Sequence, residues 1–422
     1  MIKSRPAILA LLTALNLVNY IDRFLVMAVS ERFGAEFGLS DKRRAAVVTA
    51  FMIGYMLTSP IFGSLGDRRA RKGLIAAGVA LWSIATVLSG FATGFTTMFL
   101  ARVAVGVGEA SYATLSPTII DDLAPPEAKS RWLAIFYTAT PVGAALGYIL
   151  GGALDPLGWR AAFVICGAPG LLLAAVTLLI REPARAPAAP ARERPTSAGV
   201  YLEMLRTPQY LYAVLGFVAQ TFAMGGFTEW AAPYLSRKLD FDLARGNVVF
   251  GVLTLATGLL GTVAGGWIAD RVPGDDRARA ALKVCAWSSA LAAPIAVLAL
   301  LQPSSTGFLI ALGLTELAVF SSVSPSNAAV LGSVPITMRA SAMAACIFSI
   351  HLLGDLLSPV AVGAVSDGLH DPQSRGTSAP GLQLGMYMLP AALALSAFFW
   401  ARGAGIARAS PSPGPDQVTA PR

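Results

Sequence analysis

The sequence predicts an all-α membrane protein of twelve transmembrane helices in two six-helix pseudo-symmetric bundles. Three observations carry this expectation. The 422 residues are 55% hydrophobic and only 13% charged, with a mean hydropathy of +0.63, whereas soluble domains carry about 25% charged residues. Apolar runs of span length recur from one end of the chain to the other, beyond what one globular core of roughly 250 to 300 residues can bury. Landmarks of the first half also return, in order, in the second.

A bilayer core of about 30 Å needs about 20 apolar residues per helix. Segments that satisfy this run over Pro6–Val29, Arg44–Leu65, Gly73–Ala92, Thr96–Ile120, Arg131–Leu154 and Arg160–Ile180. A second set follows at Pro208–Leu235, Asn247–Ile268, Leu282–Leu301, Thr306–Leu331, Arg339–Val365 and Leu382–Arg402. The first segment begins like a secretory signal, with Lys3 and Arg5 ahead of apolar residues. It continues through Asn19, Tyr20, Asp22 and Arg23 without a small-x-small cleavage site, so an uncleaved first span is expected. Residues 182–207, rich in Pro, Ala and Arg, read as a linker between bundles 1–181 and 208–405. The Pro-rich 406–422 reads as a disordered tail.

Orientation follows from charge. With the N-terminus inside, 21 Lys and Arg residues fall on cytoplasmic segments and 9 on outer ones. The positive-inside rule then places both termini in the cytoplasm, and the short connecting loops, with no eukaryotic targeting sequence, suit a bacterial plasma (inner) membrane. The formal charge of +8 is therefore topological, and no nucleic-acid partner is expected. Cys166, Cys285 and Cys346 lie singly in apolar runs, and His351 and His370 are too few for a zinc site or a Ser/His/Asp triad. Neither metal nor cofactor is expected.

The halves share three landmarks. Gly63-Ser-Leu-Gly-Asp67-Arg68 has its partner in Gly266-Trp-Ile-Ala-Asp270-Arg271, Ser116-Pro117 in Ser324-Pro325, and Glu109 in Glu316. Duplication of six helices places a substrate site at the interface of the halves. Asp67, Arg68 and Arg71, with Asp270 and Arg271 in the repeat, are candidate gating charges at the cytoplasmic face.

Ionisable groups inside a membrane are costly and mark functional sites. They are Asp22, Arg23, Arg102, Glu109, Glu229, Glu316, His351 and Asp355. Arg102, Glu109, Tyr112 and Ser116 share a face of the fourth span. Asp22 and Arg102 lie at similar depth, so a charge pair between them is geometrically allowed. A mid-membrane carboxylate such as Glu109, coupled to Asp22, is suited to carry a proton while an arginine nearby favours its charged form. A permanently satisfied structural pair is the alternative. His351 and Asp355, at i and i+4, suit a proton relay or, equally, a gate contact between helices. Gly143, Gly147 and Gly151 are expected to let helices pack closely.

The loop Gly63-Ser-Leu-Gly-Asp-Arg-Arg-Ala-Arg-Lys72 closely resembles the signature GxLxDRxGR(R/K) of the major facilitator superfamily, with Ala70 where glycine is usual. Asn19-Tyr-Ile-Asp-Arg23, Gly106-Val-Gly-Glu-Ala-Ser-Tyr112, Pro141-Val-Gly143 with Leu146-Gly-Tyr148, and His351-Leu-Leu-Gly-Asp355 resemble the spinster branch. That resemblance implies transport by alternating access, for lysolipids or sphingoid phosphates, with roles for Asp22, Arg23, Arg102 and Glu109. The expectation is a proton-linked transporter, not an enzyme, and by fold analogy a monomer. Its partners would be protons, the lipid bilayer and a small amphipathic substrate. Arg23, Arg102, Tyr112, Glu229, Trp230 and Glu316 are the candidate substrate contacts, in a cavity lined by the first, fourth, seventh and tenth spans. Phe217, Phe222 and Phe227 would add an apolar wall. A drug or organic-anion carrier of the same fold is the alternative. A lipid-modifying enzyme is disfavoured, because neither Ser111 nor Ser116 has a histidine base nearby in sequence and no phosphate-binding glycine loop is present.

Overall fold

The computed structural model describes residues 2–125, 128–182, 203–273, 276–335, 338–369 and 379–406. Helices α1 (Arg5–Ala28), α3 (Asp41–Arg68), α4 (Arg71–Ser89), α5 (Phe95–Leu123), α6 (Lys129–Ala153) and α7 (Trp159–Leu178) form the first bundle. A short helix, α2 (Ser30–Glu36), follows the first span and was not anticipated. The second bundle contains α8 (Pro208–Leu239), α9 (Leu243–Arg271) and α10 (Arg277–Leu300) as single helices. Its tenth span is divided into α11 (Ser305–Phe320) and α12 (Val323–Gly332). The eleventh consists of α13 (Arg339–Ile350), a π-helical turn at His351–Asp355, and α14 (Leu357–Gly368); the twelfth is α15 (Ala379–Met386) with α16 (Met388–Gly405).

Eleven of these spans are long and apolar enough to cross a bilayer on composition alone. The remaining one, α5, has 29 residues and is made less apolar by Arg102 and Glu109. Its charge is therefore a clue to function rather than an argument against spanning. The linker expected at 182–207 and the tail at 406–422 lie largely outside the described residues.

Small residues set the helix spacing. A Cβ at Gly106 of α5 would lie 1.8 Å from the Phe51 carbonyl oxygen of α3, so the two backbones touch there. The glycines of α6 behave as expected from their spacing of four: a Cβ on Gly143 or Gly147 would come within 2.8 Å of the Leu17 or Ile21 carbonyl of α1. The repeat has its own version, Gly265 of α9 against the Ser321 carbonyl that follows α11.

The apolar cores reveal how the halves meet. At the end bearing the chain termini, each half has a core of its own: Ile8, Leu12, Trp82 and Tyr112 in the first, and Tyr210, Leu282, Val330 and Trp400 in the second. At the opposite end one cluster draws on both, with Ala28, Ala45 and Tyr148 packed among Phe227, Trp230, Phe250 and Val362. The halves are thus sealed together at one end and separate at the other.

Candidate functional site

Where the halves separate, a cavity of about 160 Å³ lies between them. Asn16, Asn19, Tyr20 and Arg23 of α1 face it, with Phe51 and Tyr55 of α3, Phe136 and Tyr137 of α6, and His351 of the π turn. Of the fourth, seventh and tenth spans expected to line it, only α5 contributes, through Ala113.

Arg23 is the cationic centre of the cavity wall. Its Nε donates to Glu109 Oε2 at 2.7 Å. The guanidinium sits 5.3, 4.7 and 5.2 Å from the ring centres of Tyr20, Phe51 and Tyr55. The faces of these rings attract a cation. Arg23 keeps 14% of its side chain exposed, while Glu109 is fully buried behind it.

Behind this pair lie Asp22 and Arg102, both without exposed surface. Asp22 Oδ2 accepts from the Thr86 hydroxyl at 3.3 Å. The nitrogens of Arg102 have no hydrogen-bond partner among the described residues, although Glu109 and Asp22 remain within its electrostatic reach. The charge pair that depth allows between Asp22 and Arg102 is not a contact: Glu109 pairs with Arg23, and Asp22 turns to α4. The four charges sum to zero, yet the bonding is concentrated in one pair.

The other candidates fall elsewhere. Tyr112 is buried, donates its hydroxyl to the Leu12 carbonyl at 2.7 Å and stacks edge-on with Trp82, which fixes α5 against α1. Glu316 lies in the second bundle and accepts from the Thr254 and Thr257 hydroxyls at 2.9 and 2.8 Å. A separate small cavity there includes Phe227 and Thr228. His351 Nδ1 and Asp355 Oδ2 are 2.7 Å apart across the π turn, a helix defect that frequently accompanies functional sites.

Glu229 and Trp230 do not reach the cavity; they belong to the sealed end. Arg44 Nη1 lies 3.3 Å from Glu229 Oε1 and 2.9 Å from Glu31, and its guanidinium is 4.3 Å from the Trp230 ring centre. The indole of Trp230 donates to the Pro359 carbonyl. Arg237 donates to both oxygens of Glu31 at 3.1 and 2.6 Å and to both of Asp41 at 2.8 Å. Asp367 accepts the backbone N–H groups of Asp41 and Lys42, capping α3 from the other half of the molecule. Ser366 donates to Asp41 as well. Among the described residues, every hydrogen bond between the halves lies at this end. Sequence reading missed Arg44, Asp41, Glu31, Arg237 and Asp367 because they sit at span ends, where charges are ordinary.

At the terminal-bearing end, Arg71 is buried and forms an ion pair with Asp122 at 2.6 Å, and its backbone N–H donates to Glu182. Arg68 is exposed, and Arg271 stacks 3.6 Å over Trp267. The side chains of Asp67 and Asp270 lie outside the described residues.

Comparison with known proteins accounts for this arrangement. Residues 12–359 match the family described as the Major Facilitator Superfamily. The chain is 35% identical to protein spinster homolog 1 of Xenopus tropicalis, across 94% of this chain and 79% of that protein. The human protein spinster homolog 1 is 36% identical, across 86% and 73%. A sphingosine-1-phosphate transporter, SPNS2 of Danio rerio, is 32% identical across 91% and 81%. Among solved structures, the fold matches a bacterial homolog of the human lysosomal transporter Spinster, in an inward-facing and occupied conformation. The TM-score is 0.82 at 23% identity, covering 96% of this chain and 97% of that one. This chain therefore belongs to the spinster branch of the Major Facilitator Superfamily, as a multi-pass membrane transporter and not an enzyme.

Proposed function

We propose that the protein moves a small amphipathic anionic or zwitterionic substrate, such as a lysophospholipid, by proton-coupled alternating access. Bundles 1–181 and 208–405 rock about the central cavity, joined by the linker at 182–207. The termini are cytoplasmic in this reading, as the distribution of Lys and Arg supports, so the cavity opens inward and the charged seam closes the outer side. The membrane is the bacterial inner membrane, and the working unit is the monomer.

The observation that carries the proposal is the Arg23–Glu109 pair at the cavity wall. An incoming phosphate competes with Glu109 for the exposed edge of Arg23, since charge-assisted hydrogen bonds to phosphate and carboxylate are comparable. Once Arg23 turns to the substrate, Glu109 is a buried carboxylate without its partner, and taking up a proton removes the cost of that isolated charge. Departure of the substrate restores the pair and releases the proton. Asp22 serves as a second proton site, and Arg102 supplies a fixed positive field behind both. Tyr112 contributes by positioning α1 against α5, and the ring cluster of Tyr20, Phe51 and Tyr55 accommodates the start of an acyl chain. Asp67, Arg68 and Arg71, with Asp270 and Arg271, gate the inner side; Glu229 and Trp230 act in the outer gate. His351 and Asp355 bring the second bundle to the head group.

The test is flux of lysophospholipid into proteoliposomes across a pH gradient, with Glu109→Gln and Arg102→Ala beside the native protein. Loss of gradient-driven flux in both variants is expected. Unchanged flux in Glu109→Gln overturns the coupling assignment, and absence of lysophospholipid binding by the native protein moves the substrate to another organic anion.

A further inference from the structure

On the outside of the second bundle, remote from the central cavity, α10 and α16 leave a groove of about 530 Å³ between them. Its mouth is basic. Arg279 donates its Nε to the Ala404 carbonyl at 2.7 Å, and Lys283 stands one turn further along α10. Neither forms an ion pair among the described residues, and both are exposed. Arg402, exposed on the last turn of α16, adds positive charge at the same end. The one carboxylate described beside the mouth, Asp276, is occupied in capping the Ala278 and Arg279 N–H groups.

Deeper in, the groove changes character. Its floor is made of small side chains, Ala286, Ala290, Ala397 and Ala401, and its rims are Trp287 and Phe398, which are 77% and 55% exposed. Arg279 and Ala290 are eleven positions apart, about 16 Å along a helix, and half of a bilayer core is about 15 Å. The groove thus has a cationic mouth at the membrane surface and an apolar channel one leaflet deep.

We propose that this groove binds an anionic glycerophospholipid of the leaflet facing the chain termini, with the phosphate between Arg279 and Lys283 and an acyl chain along the alanines between Trp287 and Phe398. Charge selects the occupant, because basic residues at the membrane surface contribute about 1 kcal/mol each toward anionic lipid. A zwitterionic lipid fills the same channel without that gain. The inference is independent of the transported substrate.

Trp287 is the reporter. The full chain is reconstituted in phosphatidylcholine vesicles containing increasing amounts of brominated phosphatidylglycerol or brominated phosphatidylcholine. Quenching of Trp287 is taken as the difference from Trp287→Phe. Brominated phosphatidylglycerol is expected to quench at about thirtyfold lower mole fraction, corresponding to two basic contacts. Arg279→Gln with Lys283→Gln should abolish the preference. Because Arg279 also holds α16, Lys283→Gln alone is the gentler variant, with a loss of about fivefold. Equal quenching by the two lipids, or a preference that survives the double substitution, overturns the proposal.

Discussion

Arg237 is the sharpest place to perturb the sealed end. It bridges the halves through four charge-assisted hydrogen bonds, two each to Glu31 and Asp41, and its side chain is only 11% exposed. Such bonds contribute about 1.5 to 3 kcal/mol each, although not additively. Removing one partner of a buried pair costs about 3 to 5 kcal/mol, since the carboxylates left behind stay desolvated. Residual exposure of Arg237 argues for the lower end, about 3 kcal/mol. The seam exists only while that end is closed, so Arg237→Ala should move the closed-to-open equilibrium by about 150-fold. Spin labels at Leu157 and Leu301, both exposed at that end, report the separation. Cys166, Cys285 and Cys346 are buried and do not compete for label. The variant should gain a population at longer distance, whereas Lys238→Ala, at an exposed neighbour, should not. An unchanged distance distribution in Arg237→Ala would refute the assignment of the seam as a latch.

Three other perturbations follow from the geometry. Gly106→Ala places a methyl into the Phe51 carbonyl and should cost about 1 to 3 kcal/mol by overpacking, while Gly73→Ala, with nothing within 4 Å, should be neutral in stability; denaturation in detergent measures both. Arg71→Gln removes the ion pair to Asp122 from a side chain that is 7% exposed, and should lower stability by about 3 kcal/mol with a matching drop in the midpoint of unfolding. Outside the spans, Glu36 accepts from Arg160 and Trp159, and these bonds hold its carboxyl below the usual carboxylate range. The Glu36 contribution is therefore complete above the ordinary carboxylate pKa of about 4.3 and lost as pH falls through the lowered folded value. Arg160→Gln should bring the Glu36 titration, followed by NMR, back towards 4.3.

The spans were legible because lipid imposes one rule on every helix, so length and apolarity suffice. The intramembrane charges were legible for the converse reason: Arg23 and Glu109 are too costly to be there without a partner. Their pairing was not, because depth along a helix does not fix rotation about its axis. Asp22 and Arg102 share a level, yet Asp22 faces Thr86 on α4. The sealed seam was hidden for another reason. Arg44 and Arg237 lie at span ends, where an outer loop can hold solvated charge. A signal was nevertheless present, since with the termini inside these basic residues run against the positive-inside rule. Four of the nine so placed, Arg32, Arg44, Arg160 and Arg237, are held in ion pairs. A residue that violates a topological rule is a reasonable place to look for a partner.

The duplication of the halves makes Glu316 the natural comparison for Glu109, and their surroundings differ in a way that separates binding from coupling. Glu109 faces an arginine at 2.7 Å, so any ligand that takes Arg23 changes the cost of its charge. Glu316 faces two threonine hydroxyls and no cation among the described residues, so nothing comparable is released when a ligand arrives. Threonine hydroxyls can also donate to or accept from an amide. Glu316→Gln can therefore keep both bonds, at a cost of about 1 kcal/mol or less. If Glu316 serves the ammonium of a zwitterionic head group, that substitution should raise the half-saturating substrate concentration while leaving flux dependent on the pH gradient. Glu109→Gln should do the opposite, retaining substrate binding and losing the gradient dependence. Loss of gradient dependence in a folded Glu316→Gln protein would mean that both halves carry the proton, and that the arginine partner is not what distinguishes the coupling carboxylate.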